Sequence, residues 1–261
     1  MTGTIALKHY FGVELAERLA GLIRPHMPDF PADAFISAVA EKTEPLELKG
    51  RVAVIAEQLQ RALPASYSKS VRILLQIVGP ENETEQGMFT NGYFLMPVAY
   101  FVEKYGLEHF DISMNALYEI TKRHTSEYAI RPFLERYPDD SMKLLKLWQR
   151  DPNLHVRRLV SEGPRPRLPW AKRIGALKDD PAYNLELIAP LLHDPSPYVR
   201  KSVANHIHDL AKDYKEVTLS WLREQIERGG DHLNWIVRHG LRSLVKSEDR
   251  TAVDLLKLVK K

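Results

Sequence analysis

The sequence predicts an all-α protein built as stacked antiparallel helix pairs. Three observations lead there. Apolar residues recur with the 3.6-residue period of a helix along nearly all of the 261 residues. No stretch shows the two-residue alternation of a half-buried strand, so no sheet is expected. A short signature, Asp-Pro with Val-Arg following the proline at a fixed spacing, recurs in the second half, at Asp151-Pro152 with Val156-Arg157 and at Asp194-Pro195 with Val199-Arg200.

Phe11, Leu15, Leu19, Leu22 and Ile23 share one face of a first helix, stopped near Pro25 and Pro28. Phe35, Ile36 and Val39 mark a second helix. Val52, Ile55, Ala56 and Leu59 mark a third, ended by Pro64, and Val71, Leu74, Leu75 and Val78 a fourth, ended by Gly79-Pro80. The acidic run from Glu81 to Gly87 reads as a loop. Helices are then expected near 92–105, 110–123, 127–137, 139–150, 153–162, 168–179, 183–192, 196–212, 214–228, 231–246 and 249–259.

In the repeated signature the aspartate is expected to cap a helix and the proline to occupy its first turn. The valine packs inward, and the arginine caps or bridges neighbouring repeats. Ile236-Val237-Arg238 echoes the core of the motif without its Asp-Pro. The pattern resembles HEAT repeats, helix pairs stacked into a curved solenoid whose concave side can hold a long ligand. A single repeat domain over residues 1–261 is expected, with a looser helical part over 1–90 and the site-bearing repeats over 91–261.

Composition narrows the function. A formal charge of +3 permits a basic patch, and 44% apolar content is that of a globular chain. Cysteine is absent, which excludes disulfides, a thiolate zinc site and a cysteine nucleophile. The start, MTGTIALKHYFG, lacks the apolar stretch of a signal peptide, and no run approaches the ~18 apolar residues of a membrane span. A cytoplasmic monomer without membrane contact is expected. His206 and His208 lack metal-ligand spacing with carboxylates, and there is no Gly-rich phosphate loop, H-E-x-x-H or G-x-S-x-G. No metal or cofactor is expected.

The stretch from Leu154 to Ala171 stands out. It starts as a helix, breaks at Gly163 and continues as a stiff loop in which Pro164, Pro166 and Pro169 interleave with Arg165 and Arg167, ending at Trp170. Trp170 is expected to lead into the next helix. A rigid cationic loop with one large aromatic suits nucleic acid; it equally suits a packed connection whose tryptophan fills a core gap. Arg158 and Glu162 lie one turn apart, either as an ordinary surface pair or as a carboxylate held beside this loop. In the helix over 196–212, Tyr198, Ser202, Asn205 and Asp209 oppose the apolar face of Val199, Val203, Ile207 and Leu210. In the helix over 231–246, Trp235, His239, Arg242 and Lys246 form a cationic strip opposite Val237, Leu241 and Leu244, suited either to phosphates or to plain solvation. Glu127 follows Thr125 and Ser126, either of which can cap a helix. Glu127, Glu162 and Asp209 thus recur near consecutive repeat positions.

Four segments carry a more specific likeness: TSEYAIRPFL (125–134), VRRLVSEGPRPRLPWA (156–171), DPSPYVRKSVANHIHDLAKD (194–213) and WIVRHGLRSLVK (235–246). In their residues and order they resemble the HEAT-like DNA alkylation repair glycosylases of the AlkC/AlkD superfamily, closest to the AlkC branch. The first 90 residues match more loosely. The resemblance implies a DNA N-glycosylase that removes cationic N-alkylated bases, typified by 3-methyladenine, from double-stranded DNA without flipping the base into a pocket. It implies Glu162, Glu127 and Asp209 as the catalytic carboxylates, with Arg158 and Trp170 at the site. Arg165, Arg167, Arg242 and Lys246 are the expected phosphate contacts. Family members typically have Asn where this chain has His208. Some carry a further immunoglobulin-like domain after the helical part; with the sequence ending at Lys261, the helical part alone is expected to grip DNA. The competing class is a non-enzymatic HEAT-repeat protein that binds DNA structures or protein partners, and the three acids favour the enzyme.

Overall fold

A computed structural model describes residues 6–86 and 91–259; Gly87, at the end of the expected acidic loop, lies outside them, as do Met1–Ile5 and Lys260–Lys261. Every regular element among the described residues is helical, as the 3.6-residue period requires. The chain divides into two units, Met1–Ile130 and Arg131–Lys261.

In the first unit, α1 (Val13–Ile23), α2 (Ala32–Thr43) and α3 (Leu48–Ala62) pack in succession, and α4 (Tyr67–Gln76), α5 (Met96–Tyr105) and α6 (Phe110–Thr121) complete it. The expected faces are buried: Leu15, Leu19 and Ile23 on α1, Phe35 and Val39 on α2, Val52, Ile55, Ala56 and Leu59 on α3, Val71 and Leu74 on α4. Gly106 ends α5 where no side chain fits. A Cβ there would come within 3 Å of the Tyr67 hydroxyl and of Ser113 Oγ, which are hydrogen-bonded to each other at 2.7 Å.

The second unit holds α7 (Arg131–Arg136), α8 (Pro138–Trp148), α9 (Leu154–Glu162), α10 (Pro181–Ile188), α11 (Pro197–Asp213), α12 (Lys215–Arg228), α13 (Leu233–Gly240), α14 (Arg242–Lys246) and α15 (Arg250–Leu258). Helix α11 is its centre, flanked by α9 and α13, with Val199, Val203, Ile207 and Leu210 buried as expected. Gly240 lets α13 approach, because a Cβ there would stand 2.8 Å from Ile207 Cγ2.

The repeat signature works as a ladder. Arg157 donates from Nε to Asp194 Oδ2 at 2.6 Å and from Nη2 to Oδ1 at 3.1 Å, tying one repeat to the aspartate of the next. Its Nη1 reaches back to the carbonyls of Asp151 and Pro152. Arg200 makes the same return to Asp194 and Pro195. The helix caps, however, are Asn153 and Ser196 rather than the aspartates, since these side chains accept from the first-turn amides of His155 and Val199. Asp151 and Asp194 instead accept from the amides of Asn153 and Ser196, turning the chain into the cap.

Four expected helices differ from the structure. Residues 127–130 form a turn and α7 begins only at Arg131, ahead of Pro132. No helix spans 168–179; there is irregular chain and a short 3-10 turn, Leu177–Asp179. Pro169 has no amide to donate, and Trp170 sits at a φ of 66°, outside helical space. The span 183–192 is divided between α10 and a 3-10 turn, Pro190–His193, because Pro190 interrupts the hydrogen-bond ladder. The helix over 231–246 is two, α13 and α14, separated at Leu241 with φ −91° and ψ 4°.

Candidate active site

Glu162 is the last residue of α9, and its carboxylate is buried at the centre of a polar cluster. Three groups meet it. Arg165 Nη1 donates to Oε1 at 2.5 Å, Ser202 Oγ donates to Oε2 at 2.6 Å, and Arg158 Nη2 stands 3.7 Å from Oε1. Arg158 also lies over the Tyr198 ring, 4.9 Å from its centroid, which orients the guanidinium. Burial by itself would raise the Glu162 pKa, but Arg158, Arg165 and the Ser202 hydroxyl outweigh it and hold the carboxyl below its ordinary value. The group is therefore an anion at neutral pH.

Asp209 completes the cluster through the other edge of the same guanidinium, Arg165 Nε donating to Oδ2 at 2.9 Å. Glu162 and Asp209 come from different helices and are joined by one buried arginine. This changes the expected role of Arg165. Its side chain is 7% exposed and occupied by two carboxylates, so it is no phosphate contact here. The alternating Pro-Arg pattern misleads because the two arginines point differently. Arg167 is partly exposed and forms a bidentate pair with Asp213, Nε standing 2.9 Å from each oxygen.

The loop is held from beneath. Arg131, buried at the start of α7, donates from Nη1 to the carbonyls of Gly163 (2.8 Å) and Arg165 (2.7 Å) and from Nη2 to that of Lys172 (2.8 Å). Asn184 of α10 donates to the Pro164 carbonyl at 3.2 Å and accepts from the Leu177 amide at 2.8 Å. The Asn184 amide also meets His206 Nε2 at 3.0 Å, while His206 Nδ1 faces the Ser161 carbonyl at 2.8 Å. A neutral imidazole protonated on Nδ1 satisfies both bonds. Burial, with Arg165 adding to it, pushes the His206 pKa down from 6.5 to about 3. His206 is thus a neutral strut beneath the site.

Trp170 does not plug the core: it is 72% exposed and adopts a left-handed backbone conformation. A bulky residue at positive φ is costly and persists where its surroundings enforce it, commonly at functional surfaces. Trp235 is the other exposed tryptophan, stacked on His239 with centroids 4.9 Å apart and planes 10° from parallel. Asn205 Oδ1 lies 3.0 Å from His239 Nε2 and 3.2 Å from Arg242 Nη2, so the stripe on α11 fixes the strip on α13 and α14. Burial, with the charge of Arg242, lowers the His239 pKa, so the ring is neutral at neutral pH. Lys246 is exposed at the end of α14. His208 is also kept neutral, first by burial, and faces the Gly240 carbonyl through Nδ1 at 3.0 Å.

Glu127 belongs to the first unit. It is buried in the turn after α6, where its Oε2 accepts from Thr125 Oγ1 at 2.9 Å and its amide donates to the same hydroxyl. Ser126 donates instead to the Leu117 carbonyl. In the second unit the structure joins Arg158, Glu162, Arg165 and Asp209 in one network, and groups Trp235, His239 and Arg242 beside it, with Arg242 close enough to feel the charges of Asp209 and Arg165. Sequence reasoning missed Arg131 and Asn184 as supports and gave Ser202 no task. Ser202 was legible in principle, since it shares the polar stripe of Asp209; nothing local marks Asn184. Among the described residues no group of three histidine, aspartate or glutamate side chains is placed to hold a metal, and no helix is long and apolar enough to cross a membrane.

An all-helical repeat unit with a buried carboxylate-arginine cluster, followed in the chain by a loop that exposes a tryptophan, defines the class, and comparison with known proteins places the chain within it. Residues 121–244 match the family model described as DNA alkylation repair enzyme. The chain is similar to the structure described as Pseudomonas fluorescens alkylpurine DNA glycosylase AlkC bound to DNA containing an abasic site analog. The two are 33% identical with a TM-score of 0.84, over 97% of this chain and 69% of that one. It is also 37% identical over 250 residues to the uncharacterized protein YhaZ of Bacillus subtilis (strain 168), covering 95% of this chain and 67% of that protein. The chain belongs to the DNA alkylation repair enzyme family and is AlkC-like.

Proposed function

We propose that the chain is a DNA N-glycosylase of base excision repair that excises cationic N-alkylated bases, chiefly 3-methyladenine, from double-stranded DNA. One observation carries the reading: a buried, ionised Glu162 joined through Arg165 to Asp209, at the foot of a loop that exposes Trp170. Membership of the family and likeness to an alkylpurine glycosylase support it.

The chemistry fits such an anion. Alkylation at N3 places a positive charge on adenine, so the base leaves as a neutral molecule and needs no acid to protonate it. The C1′–N bond breaks with its electron pair going to the base, and the sugar becomes oxocarbenium-like. Negative charge beside C1′ stabilises that cation. Water then forms the new bond to C1′ and gives up a proton to a carboxylate. We assign Glu162 as the main catalytic carboxylate, with Glu127 and Asp209 assisting. Asp209 Oδ1 accepts no hydrogen bond from the described residues, which suits it to orient a water. Arg158 positions Glu162, and Trp170 packs against the deoxyribose or its flank without a base-flipping pocket. Arg167, Arg242 and Lys246 contact phosphates, with Trp235 and His239 as a stacked platform beside them. The reaction calls for no metal or cofactor, and a cytoplasmic monomer remains the expected form.

The pairing of both acids with Arg165 also suits a staple in a protein that only binds DNA. One experiment separates the two: release of methylated bases from methylated duplex DNA, resolved by base identity, beside Glu162→Gln. Release of 3-methyladenine that is lost in the variant supports the enzyme. Binding without release supports the staple.

A further inference from the structure

We propose that Arg131 is a positioning residue for this site, holding both ends of the Gly163–Lys172 loop and thereby setting the placement of Glu162, Arg165 and Trp170. The proposal rests on the glycosylase reading above.

The loop holds itself in part, through the Arg165 amide on the Glu162 carbonyl at 3.3 Å and the Ala171 amide on that of Leu168 at 3.2 Å. Pro164, Pro166 and Pro169 contribute no amide donors. Its backbone from Gly163 to Pro166 is buried, so its carbonyls need donors from elsewhere. Arg131 supplies three bonds from one guanidinium, to Gly163, Arg165 and Lys172. The first two carbonyls bracket the start of the loop, next to Glu162 and at the residue whose side chain joins Glu162 to Asp209. The third lies just beyond Trp170. A shift of this backbone displaces the guanidinium between the carboxylates and the exposed tryptophan together. A planar fork suits this task, because two nitrogens reach carbonyls at opposite ends of the loop. A lysine ammonium is a single point and cannot span them. These three bonds go to backbone carbonyls of the loop, so through them Arg131 places the site.

The test uses the full chain with Arg131→Gln and Arg131→Lys beside Glu162→Gln. Base release is resolved into kcat and KM, DNA affinity is measured on undamaged duplex, and folding is checked by thermal unfolding. Limited trypsin digestion reads the loop directly. Arg165 is followed by proline and resists cleavage, so the informative cuts follow Arg167 and Lys172. We expect Arg131→Gln to fold, to be cut faster at those two bonds, and to lose kcat by about 10- to 100-fold with affinity for undamaged DNA little changed. Arg131→Lys should fall between it and the wild type on both readouts. If Arg131→Gln unfolds, Arg131→Lys decides alone, and wild-type kcat with wild-type cleavage in that variant overturns the inference. Unaltered kcat in a folded Arg131→Gln also overturns it, as does an unaltered cleavage rate. A wild-type chain that releases no base counts instead against the glycosylase reading, and the digestion still shows whether Arg131 holds the loop.

Discussion

Ser202 Oγ donates to Glu162 Oε2 at 2.6 Å, linking α11 to the end of α9 inside the buried cluster. A hydrogen bond to a buried charge contributes about 1.5–3 kcal/mol. Ser202→Ala should cost stability of that order in urea unfolding and should slow base release, because the carboxylate loses the donor that orients it. Unchanged stability and turnover together would remove Ser202 from the site.

Arg165 should prove the more costly loss. It stands between two carboxylates whose side chains are 7% and 5% exposed. Replacing it with methionine leaves both acids buried without their partner, a change worth about 3–5 kcal/mol. The combination of Arg165→Met with Glu162→Gln should recover part of that loss, since one uncompensated charge is gone. A double-mutant cycle in urea measures the coupling, and additive effects would mean that the pair does not interact.

Stability should fall on acidification, for two reasons with the same sign. The folded Glu162 pKa lies below its unfolded value, so its contribution is present above the unfolded pKa and disappears as pH drops through the folded one. His206 has a folded pKa of about 3 against 6.5 unfolded. Between those values the unfolded chain binds the proton and the folded chain does not. His206 therefore lowers stability as pH falls through that window, by up to about 1.4 kcal/mol for each pH unit. Urea midpoints measured from neutral pH downward should decline, and His206→Gln should flatten the decline. An equal slope in that variant would contradict the neutral-strut assignment.

Trp170→Ala should separate binding from stability. The side chain is 72% exposed, so its removal should leave the unfolding free energy nearly unchanged, within about 0.5 kcal/mol. If it packs on DNA, affinity for lesion-containing duplex should weaken by about 1–3 kcal/mol, measured by fluorescence anisotropy. Equal affinity would return the tryptophan to a surface ornament of the loop.

Salt dependence distinguishes the arginines. Lys246→Ala and Arg242→Ala should each lower the slope of log affinity against log salt by about 1. Replacement of Arg165 should leave that slope unchanged, because its guanidinium is buried between Glu162 and Asp209. A reduced slope for Arg165 would show that it turns to the phosphates on binding.

Helical class, most helix faces and the repeat were legible in the sequence, because each depends on residues within a few positions of one another. The spacing of Val199, Val203, Ile207 and Leu210 states a buried face without reference to what covers it. Asp-Pro with its following arginine states a repeat, and the Arg157–Asp194 bond realises it. Glu162, Asp209 and Trp170 were legible as candidates through motif and resemblance. The fate of Arg165 was not, because a Pro-Arg alternation looks the same whether its arginines meet solvent or a carboxylate 44 residues away. The missing helix over 168–179 has the same origin. Its Lys172 carbonyl accepts from Arg131, 41 residues away, and local propensity contains no record of such a donor. The sequence alone determined which faces are apolar, where helices can start and which residue types are available for chemistry, since those are local properties of backbone and side chain. The tertiary structure alone decided which charges are buried together, because Coulomb and hydrogen-bond energies depend on distances that only the folded path of the chain sets.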